Sequence, residues 1–238
     1  MGKKTRLFLI KGSPSFEGVG ATIYNYMKKF LSKNSEDIIV DFYDQALENN
    51  NDVYRKANID QFLSSDNESI TPFEKNIINS EGIIVICPVY LRQVPGLFKQ
   101  TLDSFSYRAH EFPLLGKKIV LFTYGTSNGA DDLCKYLGMI FTSMGAEIVV
   151  SQSCFLIDGT LNEEIASFTN HISKMLTKIA NNQYTVTKWQ EDLFQFFKNI
   201  VLQEIKSGIT TNKQKRWKEL LPYNSLVEYL EEVKLDKK

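Results

Sequence analysis

The apolar positions of this chain gather into five short runs: RLFLIKG at 6–12, DIIVDFY at 37–43, GIIVICPVY at 82–90, KKIVLFTYG at 117–125 and AEIVVSQSCF at 146–155. Four are near-continuous in Ile, Val, Leu and Phe. Strands buried on both faces have this pattern, whereas a strand with one wet face alternates. Between the runs the apolar spacing changes to three and four residues, which predicts helices. Ile23, Met27, Phe30 and Leu31 mark one after the first run, and Leu97, Phe98, Thr101, Leu102 and Phe105 one after the third. Leu133, Leu137, Ile140, Phe141 and Met144 follow the fourth run, and Ile165, Phe168, Ile172, Met175, Leu176 and Ile179 the fifth. Thr71-Pro72-Phe73-Glu74 opens a further short helix, with Thr71 as N-cap, Pro72 at the first helical position and Glu74 closing a capping box. Alternation of this kind calls for an α/β fold: a doubly wound parallel sheet with helices on both faces and right-handed crossovers.

The stretch 45–70 is longer and more polar than an ordinary connection and reads as a surface insertion. The alternation ends near residue 182, which divides the chain into a main domain, 1–182, and a C-terminal helical extension, 183–238. In the extension, VTKWQEDLFQFFKNIVLQEIK (186–206) predicts one helix with Trp189, Leu193, Phe196, Phe197, Ile200 and Val201 on a broad apolar face. Residues 213–235 predict one or two shorter helices interrupted at Pro222. Such a face must be covered by the main domain, by a second copy in a homodimer, or by serving as a cap over a ligand site.

Composition narrows the partners. The chain has 238 residues, and its 28 basic and 28 acidic residues cancel, so nothing in it attracts nucleic acid or a membrane surface. The strand pattern begins within a few residues of Met1, which leaves no room for a signal peptide, and no apolar run approaches the roughly 20 residues a spanning helix needs. Cys87, Cys134 and Cys154 are widely spaced and no C-x-x-C occurs. The expectation is three reduced, mostly buried thiols in a cytoplasmic protein, with neither disulfide nor metal site. Neither G-x-S-x-G nor H-E-x-x-H is present, and two histidines restrict any hydrolytic scheme. His110, in the polar SYRAHEF, reads as a surface residue or as a proton donor to a bound substrate, and His171 reads as structural.

The candidate chemistry lies in GSPSFEGVGAT, residues 12–22, between the first strand and its helix. First-turn N–H groups lack internal partners and the helix dipole favours negative charge there, so such a loop is an anion site. Ser13 and Thr22 add hydroxyls. The loop 13–22 has no Lys or Arg, which leaves oriented backbone dipoles to neutralise an anion. The spacing is neither a P-loop nor G-x-G-x-x-G, and a loop of this composition can also serve chain geometry alone. Two further loops add weight: CPVYLRQVPGLFKQTLD (87–103) after the third strand and TYGTSNG (123–129) after the fourth. In a sheet of order 2-1-3-4-5, strands 1, 3 and 4 are neighbours, and their loops meet at the switch point where such folds bind ligands.

These three segments resemble the flavodoxin-like NAD(P)H-dependent FMN reductase family. GSPSFEGVGAT is similar to that family's G-S-P-R-x-x-G-N-[ST]. CPVYLRQVPGLFKQTLDSF is similar to [ST]-P-V-Y-W-x-x-x-P-x-x-L-K-x-x-I-D-R at Pro88, Val89, Tyr90, Pro95, Lys99 and Asp103, and LLGKKIVLFTYGTSNG to the family's third motif. The resemblance spans roughly residues 5 to 180. The chain departs from it at Ser15 (for Arg), at Val19-Gly20 (for Asn-Thr) and at Leu91 (for an aromatic), with Thr22 left to replace a lost hydroxyl.

The resemblance implies a flavodoxin-like five-stranded fold with FMN as cofactor and NAD(P)H as co-substrate. The FMN phosphate would fall to Ser13, Ser15, Gly18, Gly20, Ala21 and Thr22. The isoalloxazine would lie against Pro88, Val89, Tyr90, Leu91, Arg92 and Gln93, with the backbone of 90–93 at its pyrimidine edge. Thr123, Tyr124, Gly125, Ser127 and Asn128 would flank the other side. Arg92 and Tyr90 are expected to tune the flavin, and no protein group is assigned as catalytic because the cofactor carries the chemistry. The implied activity is hydride transfer from NAD(P)H through flavin N5 to a small organic acceptor, such as a quinone, a nitro or azo compound, or a specialised metabolite. A flavodoxin-type electron carrier and a flavodoxin-like binding protein that has lost FMN are the alternatives; the balanced charge argues against the carrier.

Overall fold

The computed structural model describes residues 4–33, 37–47, 71–156, 160–211 and 213–235, so nearly all of the insertion predicted over 45–70 lies outside the described residues. Five strands, β1 (Thr5–Lys11), β2 (Ile38–Asp44), β3 (Gly82–Pro88), β4 (Lys118–Gly125) and β5 (Glu147–Phe155), form an all-parallel sheet of order β2-β1-β3-β4-β5. Their connections carry helices α1 (Val19–Lys33), α2 (Pro72–Asn79), α3 (Gly96–Ser104) and α4 (Ala130–Ser143), and α5 (Leu161–Ala180) follows β5.

The continuous apolar runs are explained by the two cores. Leu7, Leu9, Ile84, Ile86, Val120 and Phe122 pack under α1 and α5 on one face. Phe8, Ile10, Ile83, Val85, Ile119 and Leu121 pack under α2, α3 and α4 on the other. Successive side chains of a strand point to opposite faces, so a strand covered on both sides must be apolar at every position. The Thr71 capping box forms as the sequence predicts: the Glu74 N–H donates to Thr71 Oγ1 at 3.2 Å, and the Thr71 N–H donates to Glu74 Oε2 at 3.0 Å.

The C-terminal helices are α6 (Lys188–Lys206), α7 (Lys213–Leu220) and α8 (Leu226–Leu235). They build a third core of Phe112, Phe194, Val201, Trp217, Leu220 and Leu226. This core lies at the amino edge of the sheet, because the segment 105–117 runs from the end of α3 to the start of β4. The Trp217 Nε1–H donates to the His110 carbonyl at 2.9 Å, and Gln190 Nε2 donates to the Thr142 and Ala146 carbonyls. The Glu191 carboxylate accepts the Leu226 and Val227 N–H groups at 3.0 and 3.1 Å, which caps the N-terminus of α8.

Two expectations are corrected here. The apolar face of α6 is rotated: Phe194 and Gln190 are buried, while Trp189 and Phe196 are 53% and 58% exposed. A side-chain amide satisfied by two carbonyls took a core position that hydropathy reserves for carbon. The extension also cannot cap the loops after β1, β3 and β4, because it packs at the opposite end of the sheet. Among the described residues, no helix is long and apolar enough to cross a membrane.

Candidate active site at the carboxyl edge of the sheet

The three candidate loops leave β1, β3 and β4 side by side. The Gly12 N–H donates to the Ile86 carbonyl and the Val89 N–H to the Tyr124 carbonyl, at 2.9 and 2.8 Å, so each loop starts in register with its neighbour. Beyond the ladder the loops touch. A Cβ on Gly125 would meet Val89 Cβ at 3.4 Å, and one on Gly129 would meet Arg92 Cα at 3.0 Å.

In the first loop, the Ser15 N–H donates to Ser13 Oγ at 3.2 Å and the Glu17 N–H to Ser15 Oγ at 3.3 Å, so these serine side chains shape the turn itself. Gly18 carries φ +87°, which explains a glycine at the mouth of α1. The Thr22 N–H closes the first intrahelical bond to the Gly18 carbonyl, leaving Val19, Gly20 and Ala21 with first-turn N–H groups that have no helical acceptor. Three such donors at a helix N-terminus, at the mouth of an exposed loop, suit a phosphomonoester.

One expectation changes here, and Gly20 has a packing role as well. The Thr22 hydroxyl turns back to the Gly18 carbonyl at 3.2 Å rather than standing in for a lost loop hydroxyl. Gly20 has no positive φ; its missing Cβ makes room for Tyr124, whose hydroxyl lies 2.0 Å from where that Cβ would stand. That hydroxyl also hydrogen-bonds the Ser13 side chain, and burial, followed by the neighbouring Cys87 thiol, pushes the phenol well above its ordinary value, so it remains protonated.

A cation reaches the loop after all, from β1. Lys11, only 1% exposed, donates to the Ser15 carbonyl at 2.6 Å and pairs with Asp44 Oδ1 at 2.8 Å. The sequence held the signal: a charge in a strand buried on both faces must find a partner.

The second loop is a tight turn. Tyr90 and Gln93 exchange two backbone hydrogen bonds of 2.9 Å, and Leu91 and Arg92 between them both have positive φ, 49° and 63°. Neither residue suits that conformation, and such strain concentrates at ligand-binding sites. The N–H groups of Tyr90 and Gln93 are therefore already committed, which leaves those of Leu91 and Arg92 for the ligand edge expected there. Leu91 is fully exposed and Tyr90 half so. The Arg92 guanidinium forms an exposed ion pair with Asp132 in the first turn of α4, a partner the sequence had not suggested.

In the third loop, Ser127 and Asn128 are exposed and Gly125 half-buried. Thr123 is buried, and its hydroxyl is spent on the Ala130 carbonyl at 2.8 Å. Pro88 is buried at the end of β3, beside Val89. Of the histidines, His110 stacks on Phe197 at 4.3 Å at the far end of the sheet, which removes it as a proton donor here. All three cysteines are buried and free.

No curated protein gives a significant match to the sequence. Among solved structures, similar chains include the apo form of an NADH:FMN oxidoreductase, 22% identical, with a TM-score of 0.52 over 71% of this chain and 90% of that one. An NAD(P)H:quinone oxidoreductase from Methanothermobacter marburgensis is 12% identical, with a TM-score of 0.54 over 74% and 96%. An azoreductase from Bacillus anthracis is 12% identical, with a TM-score of 0.53 over 72% and 99%. At these identities the likeness establishes the flavodoxin-like fold. The family model of NADPH-dependent FMN reductases matches residues 5–162, from β1 into α5, and spans all three loops. The chain therefore belongs to the NADPH-dependent FMN reductase family, NAD(P)H-dependent oxidoreductases that use FMN.

Proposed function

We propose that this reductase passes reducing equivalents from NAD(P)H to a small, flat organic acceptor of the quinone, nitro or azo type. The observation that carries this is the strained turn at Leu91 and Arg92, which holds apolar surface out to solvent beside the phosphate-type loop. Exposed Tyr90, Leu91 and Phe155, the last joined to the third loop by the Leu156 N–H to Gly125 carbonyl bond, give an aromatic acceptor something to stack on. The structurally similar quinone oxidoreductase and azoreductase named above act on compounds of this shape.

When bound, FMN supplies the chemistry, accepting hydride from the nicotinamide and delivering reducing equivalents to the acceptor. The chain's own part is to bind and orient. Val19, Gly20 and Ala21 direct their N–H groups to the phosphate, with Ser13 and Ser15 setting the loop's shape. The stiff segment Pro88–Pro95 presents the N–H groups of Leu91 and Arg92 to the ring edge. The Arg92–Asp132 pair holds a cation at that edge without leaving it uncompensated, and Tyr90, Tyr124, Gly125, Ser127 and Asn128 form the walls.

On the same footing, residues 1–182 are the catalytic domain and 183–238 an extension that completes its lower edge. The exposed Trp189 and Phe196 support a homodimer, and three buried free thiols suit the reducing cytoplasm. The test is anaerobic titration of the FMN-loaded protein. Bleaching of the flavin by NADH or NADPH, then re-oxidation by benzoquinone or an azo dye, is expected. Reduction by dithionite but by neither nicotinamide would instead favour an electron carrier. Light scattering that gives a monomer mass would remove the dimer.

A further inference from the structure

The least expected group at the site is Lys11. It is a fully buried ammonium in a core strand, bonded on one side to the Ser15 carbonyl and on the other to Asp44 Oδ1. A buried ion pair is weak evidence for stability, because desolvation offsets most of the attraction and apolar replacements are often neutral. Its geometry supplies another reason for it. A trans peptide carries its C=O and N–H on opposite edges. With the Ser15 carbonyl drawn down onto Lys11, the Phe16 N–H on the same peptide is turned away from the ammonium.

The Lys11–Asp44 pair is also oriented. Its positive end touches the loop and its negative end lies on β2, where Asp44 Oδ1 also accepts the Ala46 N–H at 3.0 Å. Lys11 Nζ further lies 5.9 Å from the centre of the Tyr24 ring, which holds the ammonium in place.

We propose that Lys11 is a specificity-determining positioning residue for the phosphate of the flavin cofactor. From beneath, it sets the Ser15–Phe16 peptide and supplies positive potential to a loop that has no Lys or Arg of its own. The phosphate loop is thereby tied through Asp44 to the chain leaving β2. This inference rests on the reading of residues 12–22 as the FMN phosphate site.

The test compares FMN with riboflavin, which lacks the phosphate, by fluorescence titration of wild type, Lys11→Met and Asp44→Asn. Thermal unfolding of the flavin-free proteins is recorded alongside. Lys11→Met should lower the FMN-to-riboflavin affinity ratio by about tenfold or more, the loss expected for a charge-assisted contact. Its riboflavin affinity should stay within about twofold, since only the phosphate reads the charge. Asp44→Asn removes the opposing negative charge and should raise the ratio. A residue serving only as a structural support would weaken both flavins together and leave the ratio alone.

A ratio unchanged in both variants overturns the proposal. If Lys11→Met fails to fold, Asp44→Asn decides: a higher ratio than wild type supports the proposal, and an equal or lower one overturns it. Wild type that takes up neither flavin refutes the FMN reading itself and this inference with it. Wild type that binds FMN while both variants keep its ratio refutes this inference alone.

Discussion

Gly20 allows the packing of the site to be tested without any ligand. Its backbone is ordinary, so nothing but space forbids a side chain there. A Cβ would stand 2.0 Å from the Tyr124 hydroxyl and 3.0 Å from Tyr124 Cζ, against 3.4–4 Å for ordinary contact. In Gly20→Ala the tyrosine must therefore move. That movement sacrifices its hydrogen bond to Ser13, about 0.5–1.5 kcal/mol, and strains a packed ring, about 1–3 kcal/mol. Replacing Gly with Ala in a helix returns up to about 1 kcal/mol, so the net loss should be about 1–3 kcal/mol.

Tyr124→Phe removes the hydroxyl and should cost about 1 kcal/mol. In the double variant the hydrogen bond is lost only once, and the closest remaining contact is the 3.0 Å one to Cζ, which a small tilt of the ring relieves. The double variant should therefore be about as stable as Tyr124→Phe alone, leaving a coupling energy equal to the whole Gly20→Ala loss, about 1–3 kcal/mol. Urea unfolding of the flavin-free proteins measures all four corners of the cycle. Strict additivity, or a Gly20→Ala protein as stable as wild type, would show that Tyr124 is not the reason for the glycine.

Three further outcomes are expected. Burial, and then Glu164, pushes the Cys154 thiol up to about 12, and burial likewise raises Cys87 and Cys134, so an aromatic disulfide reagent should modify the native thiols far more slowly than those in urea; fast modification of the folded protein contradicts this. His171 is held below its ordinary value of 6.5 by burial and then by Lys174, so the folded state binds its proton less readily than the unfolded chain. Stability should be fully present above about pH 6.5 and decline as pH falls from there toward the folded value; His171→Gln should flatten that slope in denaturant titrations between about pH 5 and 7. Trp217 is fully buried, stacks on Phe194 at 5.6 Å and donates to the His110 carbonyl, so Trp217→Ala should cost about 3–5 kcal/mol in urea unfolding. Because that core lies at the far end of the sheet, FMN affinity should not change; a large loss of affinity would place the extension at the active site.

The hydrophobic pattern determined the alternation of strands and helices and so a parallel sheet covered on both faces, whereas the flavodoxin-like strand order came with the family resemblance. Unbroken runs between helical spacings require strands covered on both faces, and the short-range bonds of the Thr71 capping box follow from four adjacent residues. A second box, in which Thr187 Oγ1 accepts the Gln190 N–H at 3.2 Å and Gln190 Oε1 the Thr187 N–H at 2.8 Å, follows in the same way from T-K-W-Q. The three loops were legible too, because parallel strands deliver their following loops to one edge. Only the folded structure could decide how those loops are built. Lys11 meets Asp44, Arg92 meets Asp132 and Tyr124 fills the space above Gly20 through contacts between residues far apart in the chain. Hydropathy carries no record of such pairs. It likewise could not tell which side of α6 faces inward, since Gln190, polar by type, is buried once two carbonyls at the ends of α4 and its following turn accept its amide. Periodicity reports which residues avoid water, whereas the partner that makes a polar group fit to bury is a property of the tertiary fold.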